Sequence, residues 1–163
     1  MKEKHMAKEI PIRCYGVSLI VCRKNRRASE ILLLKRAPRY NGQWCQVAGG
    51  IEPGETAWQA AVREMKEETA LVPERLYSAD LLEKFYEMDK DAIWIAPVFV
   101  AFVPFRCSVV LNHEHTEYRW LSYRAALAML PFPGQREILR AVRASFLKRR
   151  PATVLEIEVS SNP

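Results

Sequence analysis

The sequence has no cysteine pairs. Cys14, Cys22, Cys45 and Cys107 are scattered, with no CxxC spacing. That argues against a disulfide framework or a zinc site and for reduced thiols in a cytoplasmic protein. Long apolar runs are also missing, so no stretch reads as a membrane span. The opening "MKEKHMAKEIPIR" lacks the apolar segment of a secretory signal. There is no internal repeat and no low-complexity stretch. Acidic residues are the scarcer sign of charge, 19 against 25 Lys and Arg, for a net charge of +6. No nucleic-acid recognition motif accompanies that charge, which disfavours a nucleic-acid binder. A solvated basic surface and steering of an anionic, phosphate-bearing ligand both fit it. What is present, 49% hydrophobic and 27% charged residues, is the composition of a globular domain.

The pattern along the chain mixes strands and helices. "YGVSLIVCR" and "EILLLKR" are rich in branched apolar residues and read as strands. "WCQVAGG" reads as one short strand ending in glycines. "ADLLEKFYEM" and "AIWIAPVFVAFV" flank "DKD" as a long hairpin, and "EYRWLS" is a further strand. "YRAALAML" and "GQREILRAVRASFLKRR" read as helices. The expected division is a loose, charged segment at 1–10, one α/β domain over 11–150, and a tail at 151–163. The tail offers a short strand at 153–159 or an arm onto a neighbour, and a homodimer stays open.

Against this basic background, residues 49–69 read "GGIEPGETAWQAAVREMKEET". Thr56 and Gln59 have the spacing of a capping box, which predicts a helix start. Pro53 and Gly54 predict the tight turn before it. At 3.6 residues per turn Trp58, Ala61, Val62, Met65 and Thr69 share one face, the expected buried one. Glu64, Glu67 and Glu68 stand at i, i+3 and i+4 on a neighbouring face, which Ala57 and Ala60 leave open. Three carboxylates so close repel one another. Arg63 alone does not neutralise them, whereas a hard cation such as Mg²⁺ or Mn²⁺ does. Gly49 and Gly50 in front let backbone groups approach a ligand closely, and Glu55 is placed to meet Arg63.

Gly49, five residues, Glu55, seven residues, then "REMKEETAL" resembles the Nudix box. The similarity extends over residues 13–143 through the order of strands and helices. It implies an α/β/α sandwich with a mixed β-sheet and a loop-helix carrying the box. It also implies metal-dependent hydrolysis of a nucleoside diphosphate linked to another moiety. In that family Glu64, Glu67 and Glu68 are metal ligands, often with the carbonyl of Gly49, while Glu55 and Arg63 orient them. One position departs. The family usually has glycine where this chain has Ala70, and that glycine ends the helix in a left-handed conformation.

In several Nudix branches a loop glutamate faces the box helix and binds metal or serves as general base. Glu114, six residues before Trp120, has that spacing. Glu117 competes, but it falls inside the strand read at "EYRWLS". His113 and His115 are read as loop histidines without a metal. For substrate, Arg36 closes a strand and points toward the site, and Arg39, Tyr40 and Trp44 cluster in the next loop. The layout "LLLKR…QWCQVAGGIEPGE" with "EHTEYRWLSYRAALAML…GQREIL" resembles the dihydroneopterin triphosphate pyrophosphatase branch, also called dATP pyrophosphohydrolase. That resemblance implies a nucleoside or pterin triphosphate, phosphate held by Arg36, and a ring end near Phe132, Gln135 and Arg136. Dinucleoside polyphosphates, an RNA 5′ end and a non-catalytic nucleotide sensor are the competing readings.

Overall fold

The computed structural model describes residues 8–159. In chain order these form β1 (Ile12–Arg13), β2 (Gly16–Lys24), β3 (Ser29–Arg36), β4 (Trp44–Cys45), β5 (Val47–Gly50), α1 (Ala57–Thr69), β6 (Arg75–Glu87) and β7 (Ala92–Val103). β8 (His115–Ser122), α2 (Tyr123–Met129), α3 (Pro133–Val142) and β9 (Glu156–Ile157) follow. The strands join in one mixed sheet ordered β4-β3-β2-β7-β6-β9, with β5 also on β2, β8 on β3 and β1 on β7. β2 and β7 run parallel, as do β1 and β7, and the other pairs are antiparallel.

Side-chain alternation splits the core into two layers. Val17, Leu19 and Val21 of β2, with Leu32 and Leu34 of β3, pack toward Ala60, Ala61 and Met65 of α1. Ile20 and Cys22, with Ile31 and Leu33, pack toward Ala126 of α2 and Ile138, Leu139 and Val142 of α3. Strands buried on both faces read as continuous apolar runs, as these two do. The result is the expected α/β/α sandwich.

α1 begins with the reciprocal capping box of Thr56 and Gln59, an arrangement worth about 1 kcal/mol. It ends at Ala70, whose φ of 58° and ψ of 14° are left-handed. Its buried residues include Ala60 and Glu68, so the face expected to stay open is partly turned into the fold. "WCQVAGG" is two strands. The chain leaves its pairing with β3 at Cys45 and takes up pairing with β2 at Val47, with buried Gln46 at the crossing. β8 starts two residues earlier than expected, because His115 pairs with Arg36 across a register shift. The helix expected over 134–150 is α helical to Val142 and continues as a π-type turn over Arg143–Leu147. The tail contributes β9, which pairs Leu76 with Ile157 on the outer edge of β6. Residues 1–7 of the expected lead-in lie outside the described residues, and Lys8 forms an ion pair with Asp91 at 2.6 Å.

One irregularity shapes the cleft. Between Ser78 and Leu82 β6 advances four residues while β7 advances two, Phe99 to Pro97. The surplus forms a bulge containing Asp80 at a φ of 55°. Beyond it Glu83 pairs with Ala96 and Phe85 with Trp94. Among the described residues no helix is long and apolar enough to cross a membrane, a test that leaves strands out of account.

Candidate functional site

Arg63 is the hub of the acidic helix. Its Nε donates to Glu55 Oε2 at 3.1 Å, and its Nη2 donates to Glu55 Oε1 at 2.7 Å. Nη2 also donates to the Gly50 carbonyl at 2.7 Å, and Nη1 donates to Glu64 at 2.9 Å and to Glu67 at 3.2 Å. The planar guanidinium fork suits such convergent acceptors. Glu55 accepts from the Glu52 amide as well, at 2.7 Å. Those bonds, Arg63 first, hold its carboxyl below the usual carboxylate range. One arginine thus ties α1 to the loop that precedes it.

The remaining carboxylates are less well served. Burial raises the Glu64 carboxyl, Arg63 works against the shift, and Glu67 and Glu114 add to it. Glu68 is pushed up to about 9, by burial first and then by Glu64, with Arg36 opposing. Its Oε2 is buried without a hydrogen-bond partner. The Glu64 carboxylate occupies the space a Cβ would take at Gly49, so any side chain at that position would displace it. One orphaned Glu68 oxygen, with the Glu64 carboxylate against the Gly49 backbone, is a donor set suited to a hard divalent cation. Among the described residues no three Asp, Glu, His or Cys side chains already converge as a metal cage, and Arg63 holds Glu64 and Glu67 meanwhile.

Glu114 and Glu117 have different surroundings. Glu114 sits in the turn before β8, its amide donating to Asn112 Oδ1 at 3.0 Å and its carbonyl accepting from the Ala37 amide at 2.8 Å. Its charge acts on both Glu64 and Glu68. Glu117 lies in β8 opposite Lys35 and binds Arg119 at 2.6 Å. Its charge is already matched by these cations.

A cleft of about 610 Å³ opens beside the glycine loop. Its lining includes Gly49, Gly50, Glu68, Arg36 and His115, and the aromatic Phe85, Trp94 and Phe132 with Gln135. The Arg36 Nε is buried without a partner. Burial, and after it Arg36, lowers the His115 pKa, with Glu114 opposing. Arg39, Tyr40, Trp44 and Arg136, expected at the substrate, do not line the cleft. Arg39 donates to the His113 carbonyl at 3.0 Å, bracing the turn that carries Glu114. Tyr40 packs against the Arg36 and Arg39 guanidinium groups. Trp44 packs on the α3-side core with Arg119 over its ring. Arg136 spends one nitrogen on the carbonyls of Leu130 and Pro131, both at 2.8 Å. Sequence reasoning missed His115 as a lining residue, and with it Gln46, Glu83, Phe85 and Trp94. The alternation in "EKFYE", which sets Glu83, Phe85 and Glu87 on one face, was the available signal.

Comparison with known proteins agrees with this picture. Residues 13–142 match the family model described as NUDIX domain. Over 131 residues the chain is 34% identical to an octanoyltransferase of Myxococcus xanthus, covering 78% of this chain and 36% of that protein. It is 30% identical over 131 residues to the asymmetrical bis(5′-nucleosyl)-tetraphosphatase of Caenorhabditis elegans, covering 79% of this chain and 94% of that one. A nucleoside triphosphatase, NudI, of Escherichia coli is 31% identical over 113 residues, covering 63% and 79%. Among solved structures, a C. elegans Ap4A hydrolase binary complex superposes with a TM-score of 0.71 at 28% identity, over 82% of this chain and 98% of that one. The E. coli dihydroneopterin triphosphate pyrophosphohydrolase shares the fold, with a TM-score of 0.68 at 22% identity over 86% and 100%.

Proposed function

Because the chain belongs to the Nudix family, hydrolases of pyrophosphate bonds that generally use divalent metal ions, we propose that it cleaves a nucleoside or pterin triphosphate. The products are the monophosphate and pyrophosphate. One observation carries this reading: the box residues Gly49 and Glu68 and Arg36, whose buried Nε has no hydrogen-bond partner among the described residues, share a single cleft with aromatic side chains. A phosphate chain and one ring match those two sets of residues.

Mg²⁺ or Mn²⁺ would be held by Glu64, Glu67, Glu68 and Glu114 with the Gly49 carbonyl, and would neutralise phosphate charge and acidify a water. The chain's own residues do the rest. Arg36 holds the phosphate chain against its own repulsion, and Arg63 fixes α1 to the glycine loop. Glu114, which forms no ion pair among the described residues where Glu117 pairs with Arg119, accepts the proton of the attacking water. Glu67 is the next candidate for that task. In-line displacement then needs little more than alignment.

Similarity to the worm tetraphosphatase over 94% of its length favours a second reading, a dinucleoside polyphosphate. Its second nucleoside would lie outside the cleft. The test is product analysis with Mg²⁺, Mn²⁺ or chelator. The proposal expects pyrophosphate from triphosphates at a higher kcat/KM than any product from a dinucleoside tetraphosphate. The reverse order transfers the assignment to the second reading, and no metal-dependent hydrolysis of either refutes both.

A further inference from the structure

The cleft contains a polar group that phosphate chemistry does not use. Glu83 of β6 is 6% exposed and lines the cleft. Gln46, at the crossing from β4 to β5, donates from its Nε2 to Glu83 Oε2 at 3.0 Å and to Ser18 Oγ at 3.0 Å. Two acceptors fix the orientation of that amide. Ser18 and Gln135, the latter in the first turn of α3, lie close enough to Glu83 to oppose the rise that burial imposes on its carboxyl. With the Gln46 NH₂ turned to the carboxylate, its Oε1 is left buried and, like the Gln135 Oε1, without a partner among the described residues. A buried acceptor is rarely left unpaired in a folded chain. Here two of them flank a carboxylate, and all three residues border the same cleft.

Flat surfaces stand beside this acceptor cluster. Phe85 faces Trp94 at 5.1 Å between centroids and 34° between planes. Trp94 lies on Gly16, where a Cβ would collide with its indole. Phe132, 50% exposed, borders the cleft at the N-terminus of α3.

We propose that Glu83, with the amide oxygens of Gln46 and Gln135, reads the ring of the substrate, and that it selects a 2-amino-4-oxopyrimidine edge, as in guanine. That edge offers a ring N–H and an amino group, two adjacent donors for the Glu83 carboxylate and the two unpartnered amide oxygens. Adenine offers one amino group beside a ring nitrogen acceptor, which would face the Glu83 carboxylate lone pair to lone pair. The proposal rests on the nucleotide-hydrolase reading for the position of the phosphates, and names the ring class at the other end of the same cleft.

The experiment is calorimetric binding of GMP and AMP to the full chain, beside the hydrolysis panel. The parent protein should bind GMP about tenfold or more tightly than AMP. Glu83→Gln should reduce that ratio to about threefold or less, mainly by weakening GMP, since the new amide presents donors to donors. Gln135→Ala, at a less buried position, provides the same test should Glu83→Gln fail to fold, and should lower the ratio by about threefold or more. Equal binding of the two nucleotides, no binding of either, or a preference retained in the folded variants overturns the proposal. Preference for GMP without hydrolysis of any triphosphate refutes the enzymatic reading and upholds this one. Hydrolysis of guanine and adenine triphosphates with equal kcat/KM refutes this one alone.

Discussion

Replacing Ala70 by glycine should stabilise the protein, against the usual direction of helix-to-glycine changes. Ala70 follows α1 with φ 58° and ψ 14°, and its amide closes the helix by donating to the Lys66 carbonyl at 2.8 Å. A left-handed conformation costs an L-residue with a Cβ about 1–2 kcal/mol, which glycine avoids. Against this stands the extra freedom of glycine in the unfolded chain, about 0.4–1 kcal/mol. Ala70 is exposed, so deleting its methyl removes little packing. The balance is a gain of about 0.5–1 kcal/mol, or about 1–4 °C in Tm for a chain of this size. Urea denaturation of Ala70→Gly and the parent measures it, with an unchanged m-value showing that the same transition is compared. A loss of about 1 kcal/mol would mean that residue 70 is ordinary helix, and would refute the reasoning.

Two more outcomes follow from the carboxylates. At saturating Mg²⁺, Glu114→Gln should lower kcat on any triphosphate turned over by about a hundredfold, and Glu117→Gln far less. A crippled Glu117→Gln would show that the wrong carboxylate was chosen, and two active variants would move the base to Glu67. Mg²⁺ or Mn²⁺ should raise the melting temperature of the folded protein, because a ligand bound only by the native state stabilises it. Glu68→Gln should shrink that increment, and an undiminished one would remove Glu68 from the ligand set.

The box was legible because its information is local. Capping box, acidic spacing and glycine loop all lie within residues 49–69, and helix geometry alone converts them into a face. The departure at Ala70 was visible in the same way. Burial of Glu68 and Ala60 was not, since it depends on how α1 settles on the sheet. Some of the residues read for substrate line the cleft. Arg36, Phe132 and Gln135 reach the cleft, but Arg39, Tyr40 and Trp44, close to Arg36 in sequence, face elsewhere. Proximity along a chain does not fix facing where a strand ends and the next takes a different partner, as happens twice between Arg36 and Gly50. The lining residues Gly16, Gln46, Glu83, Trp94 and Gln135 are distant in sequence and are brought together by sheet order and by α3.

The bulge at Ser78–Leu82 has a consequence for how this cleft tolerates changes in chain length. It adds an even number of residues to β6 relative to β7, so the alternation beyond it stays in phase with the sheet. Removing or adding a single residue there would invert that phase. Glu83 would then turn away from Gln46, and Lys84 would take its place on that face. Insertions and deletions in this segment should therefore keep Glu83 on Gln46 when they come in twos and part the two residues when they come singly. Strand parity makes this short irregular stretch a discrete selector of what the cleft wall presents, while the box helix remains the same.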